Sequence, residues 1–330
     1  MVSCPVCSSS SFSVLLTAAA LGREAEIRNQ FIAERAAKPL SAGERKDLTD
    51  FFHNERADLL ECRGCGLLVR SEREEPAAHS YSEDEYDAAA IEQIYPKYVR
   101  AFEAKQQPYQ DLLPGGADIV ELGSHYGAFL ETAAKWGWNA IGVDIGEDSS
   151  RFARSHGFDV RSCELRDCRF ETSSLDGVFI WNCFDQIENP QPILEEAQRM
   201  LKANGLLVVR TPNGLFYARC QGLLRDADLK PTAARFLIEA MAYNNLLAFP
   251  YRYGYSGATL ERLIEPFGFR CEGTLNSEVI TLPLPDDRDW VVEEERAIQE
   301  GVQLLAHSVL RNQEGELAGP WIELWFRRNG

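Results

Sequence analysis

From residue 117 onward the chain alternates short apolar runs with stretches of helical period. Ile119-Val-Glu-Leu predicts a strand and 128–136 a helix. Ala140-Ile-Gly-Val-Asp-Ile predicts the next strand and 148–156 the next helix. Phe158-Asp-Val-Arg is a weaker strand and Gly177-Val-Phe-Ile-Trp a strong one. Residues 192–202 form a helix with Pro192 in the first turn, where a missing N–H costs little. Gly205 suits a turn into the buried strand Leu206-Leu-Val-Val-Arg. Such alternation predicts an α/β fold, Rossmann-like and doubly wound, with a mostly parallel sheet, helices on both faces and right-handed crossovers. Ligands of such sheets bind beyond the carboxyl ends of the strands near the switch point. The residues just after each strand are therefore the ones to search for chemistry.

The flanks have other patterns. Residues 22–60 are charged and read as helical, with a break at Lys38-Pro39, and 71–78 read as a linker. Tyr81, Tyr86, Tyr95, Tyr98 and Tyr109 mark a tyrosine-rich stretch, which Pro96 and Pro108 divide into short helices. Residues 215–249 read as helical and would sit over the sheet's carboxyl edge. Ser256 caps a helix, 269–274 and 321–326 read as strands, and 291–310 as a helix.

Net charge is the first constraint on function. At −17 the surface repels phosphate backbones and anionic lipid, so no nucleic-acid partner is expected. No apolar run reaches the roughly 18 residues of a membrane span, and the start lacks a basic segment followed by an apolar one. A cytoplasmic protein is expected.

The turn after the first strand of the alternation, Glu121-Leu-Gly-Ser-His-Tyr-Gly127, carries the clearest chemistry. Gly123 allows a sharp turn and close approach to a ligand, and Gly127 allows helix and strand to pack. The following helix offers free N–H groups at its start. Asp144 ends the second strand, where a carboxylate can accept hydrogen bonds from two vicinal ribose hydroxyls. A dinucleotide site needs Gly-x-Gly-x-x-Gly beneath a pyrophosphate, but His125 stands at the middle glycine and Glu121 would repel the phosphates. S-adenosylmethionine has no phosphate and carries an ammonium and a sulfonium, which an acidic turn suits.

Residues 109 to 275 resemble the class I methyltransferases. Glu121 to Gly127 resembles their first motif and Ala140-Ile-Gly-Val-Asp144 the second. Phe179-Ile-Trp-Asn-Cys-Phe-Asp-Gln-Ile-Glu-Asn-Pro190 looks like their fourth-strand motif, with Asp185-Gln186 where Glu-His is common. Leu201 to Asn213 and Tyr255 to Phe269 are similar to the segments that follow. The resemblance implies that Glu121 and Gly123 face the methionine part of the cofactor, that Ser124 and Gly127 belong to the same cofactor-binding turn, and that the His125 side chain projects into the cofactor or substrate space. It further implies that Asp144 holds the ribose, Ile145 packs beside the adenine, Cys163 and Glu164 lie near the adenine amino group, and Trp181 and Asn182 border the methyl group. His125, Asp185 and Tyr86 are the candidate catalytic residues, with Tyr81 beside them. Gln186 removes the common histidine base.

Nine cysteines are present, and in a reducing compartment no disulfide framework is expected. Cys163, Cys168, Cys183, Cys220 and Cys271 read as buried, inert thiols. Cys4-Pro-Val-Cys7 and Cys62-Arg-Gly-Cys65 are different: two Cys-x-x-Cys knuckles present four thiolates, enough to close a structural Zn2+ site. The 54 residues between them imply an insertion. His53 is a possible competing ligand, and redox-active cysteines are the alternative reading. The pairing resembles a zinc-binding module ahead of the methyltransferase domain in bacterial enzymes of sugar and natural-product modification. The expected organisation is a zinc-binding module at 1–72, a tyrosine-rich lid at 73–108 and a methyltransferase domain at 109–330, with helical insertions at about 215–250 and 288–311. The expected activity is methylation of a small molecule, sugar or glycan. The alternatives are a non-catalytic S-adenosylmethionine-binding scaffold and, behind it, an NAD-dependent oxidoreductase.

Overall fold

A computed structural model describes residues 3–36, 57–71, 88–277 and 288–330. Seven strands form the main sheet: β4 (Asp118–Leu122), β5 (Asn139–Val143), β6 (Asp159–Arg161), β7 (Leu175–Trp181), β8 (Leu201–Pro212), β10 (Phe269–Ser277) and β11 (Trp321–Arg328). Their order is β10-β11-β8-β7-β4-β5-β6. β4 pairs in parallel with both β5 and β7, β5 with β6, and β7 with β8, while β11 runs antiparallel between β8 and β10. The chain moves outward from β4 in one direction through β5 and β6, then returns to its other side with β7. The crevice at the carboxyl ends of β4 and β7 is thus the switch point.

Central strands are buried on both faces, so they read as continuous apolar runs. Along β7, Val178 and Ile180 face one core with Val120, Leu207 and Val209, and Phe179 and Trp181 face the other with Ile119, Leu206 and Val208. The second face is covered by the helices Ala128–Lys135 and Ala88–Glu103. Pro96 does not divide the tyrosine-rich stretch, because a single helix runs through it. Ile91, Tyr95, Val99 and Phe102 lie on one helical stripe and are all buried. Burial of each such side chain stabilises by about 1.5–3 kcal/mol, which together exceeds the roughly 3 kcal/mol that an interior proline costs.

Other boundaries differ from expectation for local reasons. Gly205 does not open β8; the strand begins at Leu201 and is irregular where Leu175 pairs Leu201 but Gly177 pairs Leu206. Asn204 there takes φ 60°, a conformation asparagine tolerates. The helical segment expected at 22–60 begins earlier, at Ala18, because the Thr17 side chain caps it by accepting from Ala20 N–H. It ends at Arg35, where Ala36 turns to extended backbone, and Leu59–Cys62 is a strand, β2. Residues 215–249 form two helices, Gly214–Leu224 and Pro231–Tyr243. The helix from Asp289 to Leu305 continues into a wider turn, Ala306–Leu310.

A second sheet joins the segment that carries the cysteine pairs to residues 253–254. β1 (Phe12–Leu16), β2, β3 (Leu68–Arg70) and β9 (Tyr253–Gly254) lie in that order, all antiparallel. A buried polar group locks it to the helices above. Glu24 accepts from Tyr217 O–H at 2.6 Å, from Ala248 N–H at 2.8 Å and from Gln221 Nε2, and it faces Arg70. Arg70 donates to the carbonyls of Ala248 (2.6 Å) and Pro250 (2.9 Å). Removing Glu24 takes the acceptor from Tyr217 O–H and Ala248 N–H and the opposing charge from buried Arg70. Glu24→Ala is therefore expected to lower stability by about 3 kcal/mol in urea unfolding, whereas loss of an exposed glutamate costs under about 0.5.

Candidate cofactor and metal sites

The turn after β4 is built by close approaches. Gly123 has φ 76°, and a Cβ there would stand 2.7 Å from Cys183 Sγ. Its N–H donates to the Val143 carbonyl at 2.8 Å, fastening the turn to the end of β5. Gly127, at φ 80°, caps the helix Ala128–Lys135. A Cβ on Gly127 would meet Phe158 and Ala153 at 3.0 and 3.1 Å, so its smallness serves packing against the next βα unit. Ser124 is buried and lies over Gly142, where a Cβ would come within 2.5 Å of Ser124 Oγ. Gly142 was visible in the sequence only as a glycine inside a strand, which often marks such a close approach.

Two carboxylates converge here in different states. Glu121 is 3% exposed, and its Oε2 has no hydrogen-bond partner among the described residues. Burial raises its pKa well above the ordinary carboxylate range, and the nearby Asp144 raises it further. Asp144 is held instead. Its Oδ2 accepts from His125 N–H at 2.7 Å, and its Oδ1 accepts from Gly146 N–H at 2.7 Å and Ser149 O–H at 3.3 Å. His125 takes φ 47° with an exposed ring whose centroid lies 3.6 Å from that of Tyr126, tilted 45° to it. Its backbone N–H, not its ring, therefore ties it to Asp144. Ile145 is 78% exposed, a large apolar side chain left open beside Asp144. Tyr95 O–H reaches the Gly127 carbonyl at 3.5 Å, so the helix Ala88–Glu103 lies against this turn.

The loop after β6 departs from expectation. Cys163 and Cys168 are joined by a disulfide rather than being free thiols. The helical turn Leu165–Cys168 brings their Cα atoms to 6.0 Å, within bonding range, so local geometry overrides an argument made from compartment alone. Glu164 is exposed on the same loop. Cys183 and Cys271 are only half-buried, whereas Cys220 is fully enclosed.

At the end of β7, Trp181 is buried among Phe102, Tyr109, Phe129 and Phe179. Asn182, exposed and at φ 58°, turns its Oδ1 to Arg210 Nη1. Arg210 is buried under the Trp321 ring, donates from Nε to Ser277 Oγ at 3.0 Å, and lies 3.9 Å from Glu323. Glu323, also buried, accepts from Lys105 Nζ at 2.8 Å and from Tyr109 O–H. Sequence reasoning missed this group; its signals were an arginine ending the apolar run of β8 and a glutamate inside apolar β11. Asp185 is buried in the turn Phe184–Gln186, its Oδ1 without a partner among the described residues, and burial pushes its pKa up to about 7. Tyr81, Tyr86 and His53 lie outside the described residues.

Away from the crevice, Cys4, Cys7, Cys62 and Cys65 bring their four sulfurs within 4.8 Å of one another. Cys4 Sγ lies 3.5 Å from Cys65 Sγ, and Cys7 Sγ 3.5 Å from Cys62 Sγ. Tetrahedral Zn–S bonds of about 2.3 Å place sulfurs about 3.8 Å apart, so the spacing fits a closed four-thiolate site. Ser8 N–H to Cys4 O and Gly66 N–H to Cys62 O, both 2.8 Å, close the two knuckles.

Residues 120–209, from within β4 to within β8, match the family model of the methyltransferase domain. These residues are similar to a methyltransferase domain. Over 98 residues it is 30% identical to the demethylmenaquinone methyltransferase of Tropheryma whipplei, covering 28% of this chain and 41% of that one. It is 28% identical over 105 residues to the ubiquinone biosynthesis O-methyltransferase of Xanthomonas oryzae pv. oryzae, covering 30% and 44%. With a probable S-adenosylmethionine-dependent methyltransferase of Mycolicibacterium smegmatis it shares 25% over 162 residues, covering 48% and 54%. The chain thus spans about half or less of these relatives' lengths. Among the described residues no helix is long and apolar enough to cross a membrane.

Proposed function

We propose that the chain is an S-adenosylmethionine-dependent methyltransferase that acts on a small-molecule acceptor. The observation that carries this reading is Glu121: a buried carboxyl with an unpartnered oxygen at the switch point, one strand from a second carboxylate. A buried acid without a partner calls for a cationic ligand, and a pyrophosphate there would add like charge. Bound S-adenosylmethionine supplies the activated methyl carbon on its sulfonium. The chain's residues bind and orient. Glu121, with Gly123, Ser124 and Gly127 shaping the turn, receives the ammonium end. Asp144 accepts from the ribose hydroxyls, exposed Ile145 covers the adenine, and Cys163 and Glu164 edge it. Trp181 and Asn182 border the transferring methyl, with Asn182 held by Arg210. Where the acceptor must lose a proton, Asp185, poised near pH 7, and His125 on the open side of the turn are the candidate bases. The names of two relatives favour a quinone-like ring as acceptor over a sugar or glycan. The four cysteines hold a structural zinc ion.

Calorimetry of the full chain with S-adenosylmethionine, S-adenosylhomocysteine and NAD tests this directly. Micromolar binding of the first two and none of NAD is expected; NAD binding alone would sink the reading. Turnover of any acceptor separates an enzyme from a scaffold that only holds the cofactor.

A further inference from the structure

The cysteine cluster is not an appendage. Its second knuckle runs into β3, and β3 pairs with β9, which belongs to the sequence after the methyltransferase core: Leu68 opposes Gly254 and Val69 opposes Tyr253. Gly254 is required there, since a Cβ would meet Leu68 at 2.9 Å and Phe249 at 3.0 Å. Cys4, Cys62, Leu67 and Val69 share one apolar core with Phe184, Tyr255, Val120 and Ile180. From β9 the contacts continue to the turn after β7. Tyr253 O–H donates to the Glu188 carbonyl at 2.9 Å, and Arg252 Nη1 pairs with the Glu188 carboxylate at 2.8 Å. Tyr255 is fully buried between Tyr253 and Phe184, with ring centroids 5.7 and 5.4 Å away. One residue before Phe184, Cys183 donates its S–H to the Leu122 carbonyl at 3.4 Å and lies against Gly123 of the nucleotide turn. On the far side of β9, Gly214 N–H donates to Tyr255 O at 2.7 Å, so β9 also sets the start of the helix after β8.

We infer that the four-thiolate site and the 183–188 turn are one conformational unit, in which metal occupancy sets the order of that turn and thereby the grip on the cofactor. This rests on the reading of the cluster as a zinc site. Tyr253 is the positioning residue between them. Metal bound to the thiolates fixes the two knuckles and hence β3. A fixed β3 holds β9, and β9 holds Glu188 and Phe184 in place. β5, β6 and the helix Glu147–Ser155 lie on the opposite side of β4 and take no part.

The test uses the full chain with its metal content measured before and after treatment with a strong zinc chelator. Hydrogen exchange followed by mass spectrometry reads the 183–188 and 252–255 segments against the helix Glu147–Ser155 as internal reference. One zinc per chain is expected. On its removal, exchange at both segments rises at least about tenfold while the reference helix is unchanged, and added zinc reverses the effect. Affinity for S-adenosylhomocysteine falls by about tenfold in parallel. Tyr253→Phe keeps all four thiols and the ring, and is expected to retain zinc yet raise exchange at 183–188. A chain that loses its zinc with exchange and affinity unchanged overturns the coupling and leaves the metal site standing. A chain that neither holds nor takes up metal overturns both. Should chelation unfold the whole protein, the zinc-loaded Tyr253→Phe variant decides, and unchanged exchange at 183–188 overturns the coupling.

Discussion

Asp144→Ala is expected to weaken S-adenosylmethionine binding by at least about a hundredfold, with calorimetric heat vanishing at concentrations where the unaltered chain saturates. Two contributions add. The carboxylate would accept two ribose hydroxyls, and each charge-assisted bond contributes about 1.5–3 kcal/mol, so both together span roughly two to four decades of affinity. The same carboxylate also holds the nucleotide turn, because His125 N–H and Gly146 N–H both donate to it at 2.7 Å. Without it two backbone donors lose their acceptor and the turn that presents Gly123 loosens. The substitution lies at a half-buried strand end, so the melting temperature should shift little. A folded variant that binds within threefold of the unaltered chain would count against this placement of the cofactor.

How much of this was legible in the sequence follows from where the information is local. The order of apolar runs gave the parallel strands, since the stretch of a strand that is buried on both faces is mostly apolar, as are 119–120 of β4, 177–181 of β7 and 206–209 of β8. Turn residues with positive φ, Gly123 and Gly127, declare themselves as glycines. Features set by packing at a distance did not show. Pro96 looked like a helix break because propensity is local, while the stripe of Ile91, Tyr95, Val99 and Phe102 that overrides it acts only once a partner face exists. Asn182 was visible as a residue after a strand, but its tie to Arg210, and that arginine's seat beside Glu323 on β11, join three strands from across the second half of the chain. β9 is two residues long, too short for any period to register, yet it carries the only strand pairing described between the cysteine sheet and the later sequence.

The candidate site sets acids of unlike character side by side. Asp144 is satisfied by backbone donors and faces the half-open side, where its oxygens can accept hydroxyl hydrogen bonds. Glu121 and Asp185 are enclosed with an oxygen unpartnered, which favours their neutral forms until something cationic arrives or a proton leaves. Divergent environments of this kind are how one site assigns one carboxyl to binding and another to proton movement.

That contrast predicts a pH dependence of folding. Burial pushes Asp185 up to about 7, whereas in the unfolded chain it titrates near 4. Below the unfolded value both states carry the proton and the folded state keeps its full stability. Between about 4 and 7 only the folded chain retains the proton, so stability falls by at most about 1.4 kcal/mol per pH unit and by no more than about 4 kcal/mol in all. Above about 7 the contribution is lost and the dependence flattens. Glu121 acts in the same direction, so the unliganded protein should be more stable at pH 5 than at pH 8. Asp185→Asn keeps the shape and removes the titration. Urea unfolding at pH 5, 6, 7 and 8 should show the unaltered chain losing more stability than the variant across pH 5–7, with the two curves parallel above about 7.5. Parallel curves over the whole range would mean that Asp185 is ionised in the folded protein at pH 5, and would remove it as the group that holds a proton near neutrality. If instead the slope is lost in the variant, the same residue becomes the one to test for proton transfer, through the pH profile of turnover once an acceptor is found.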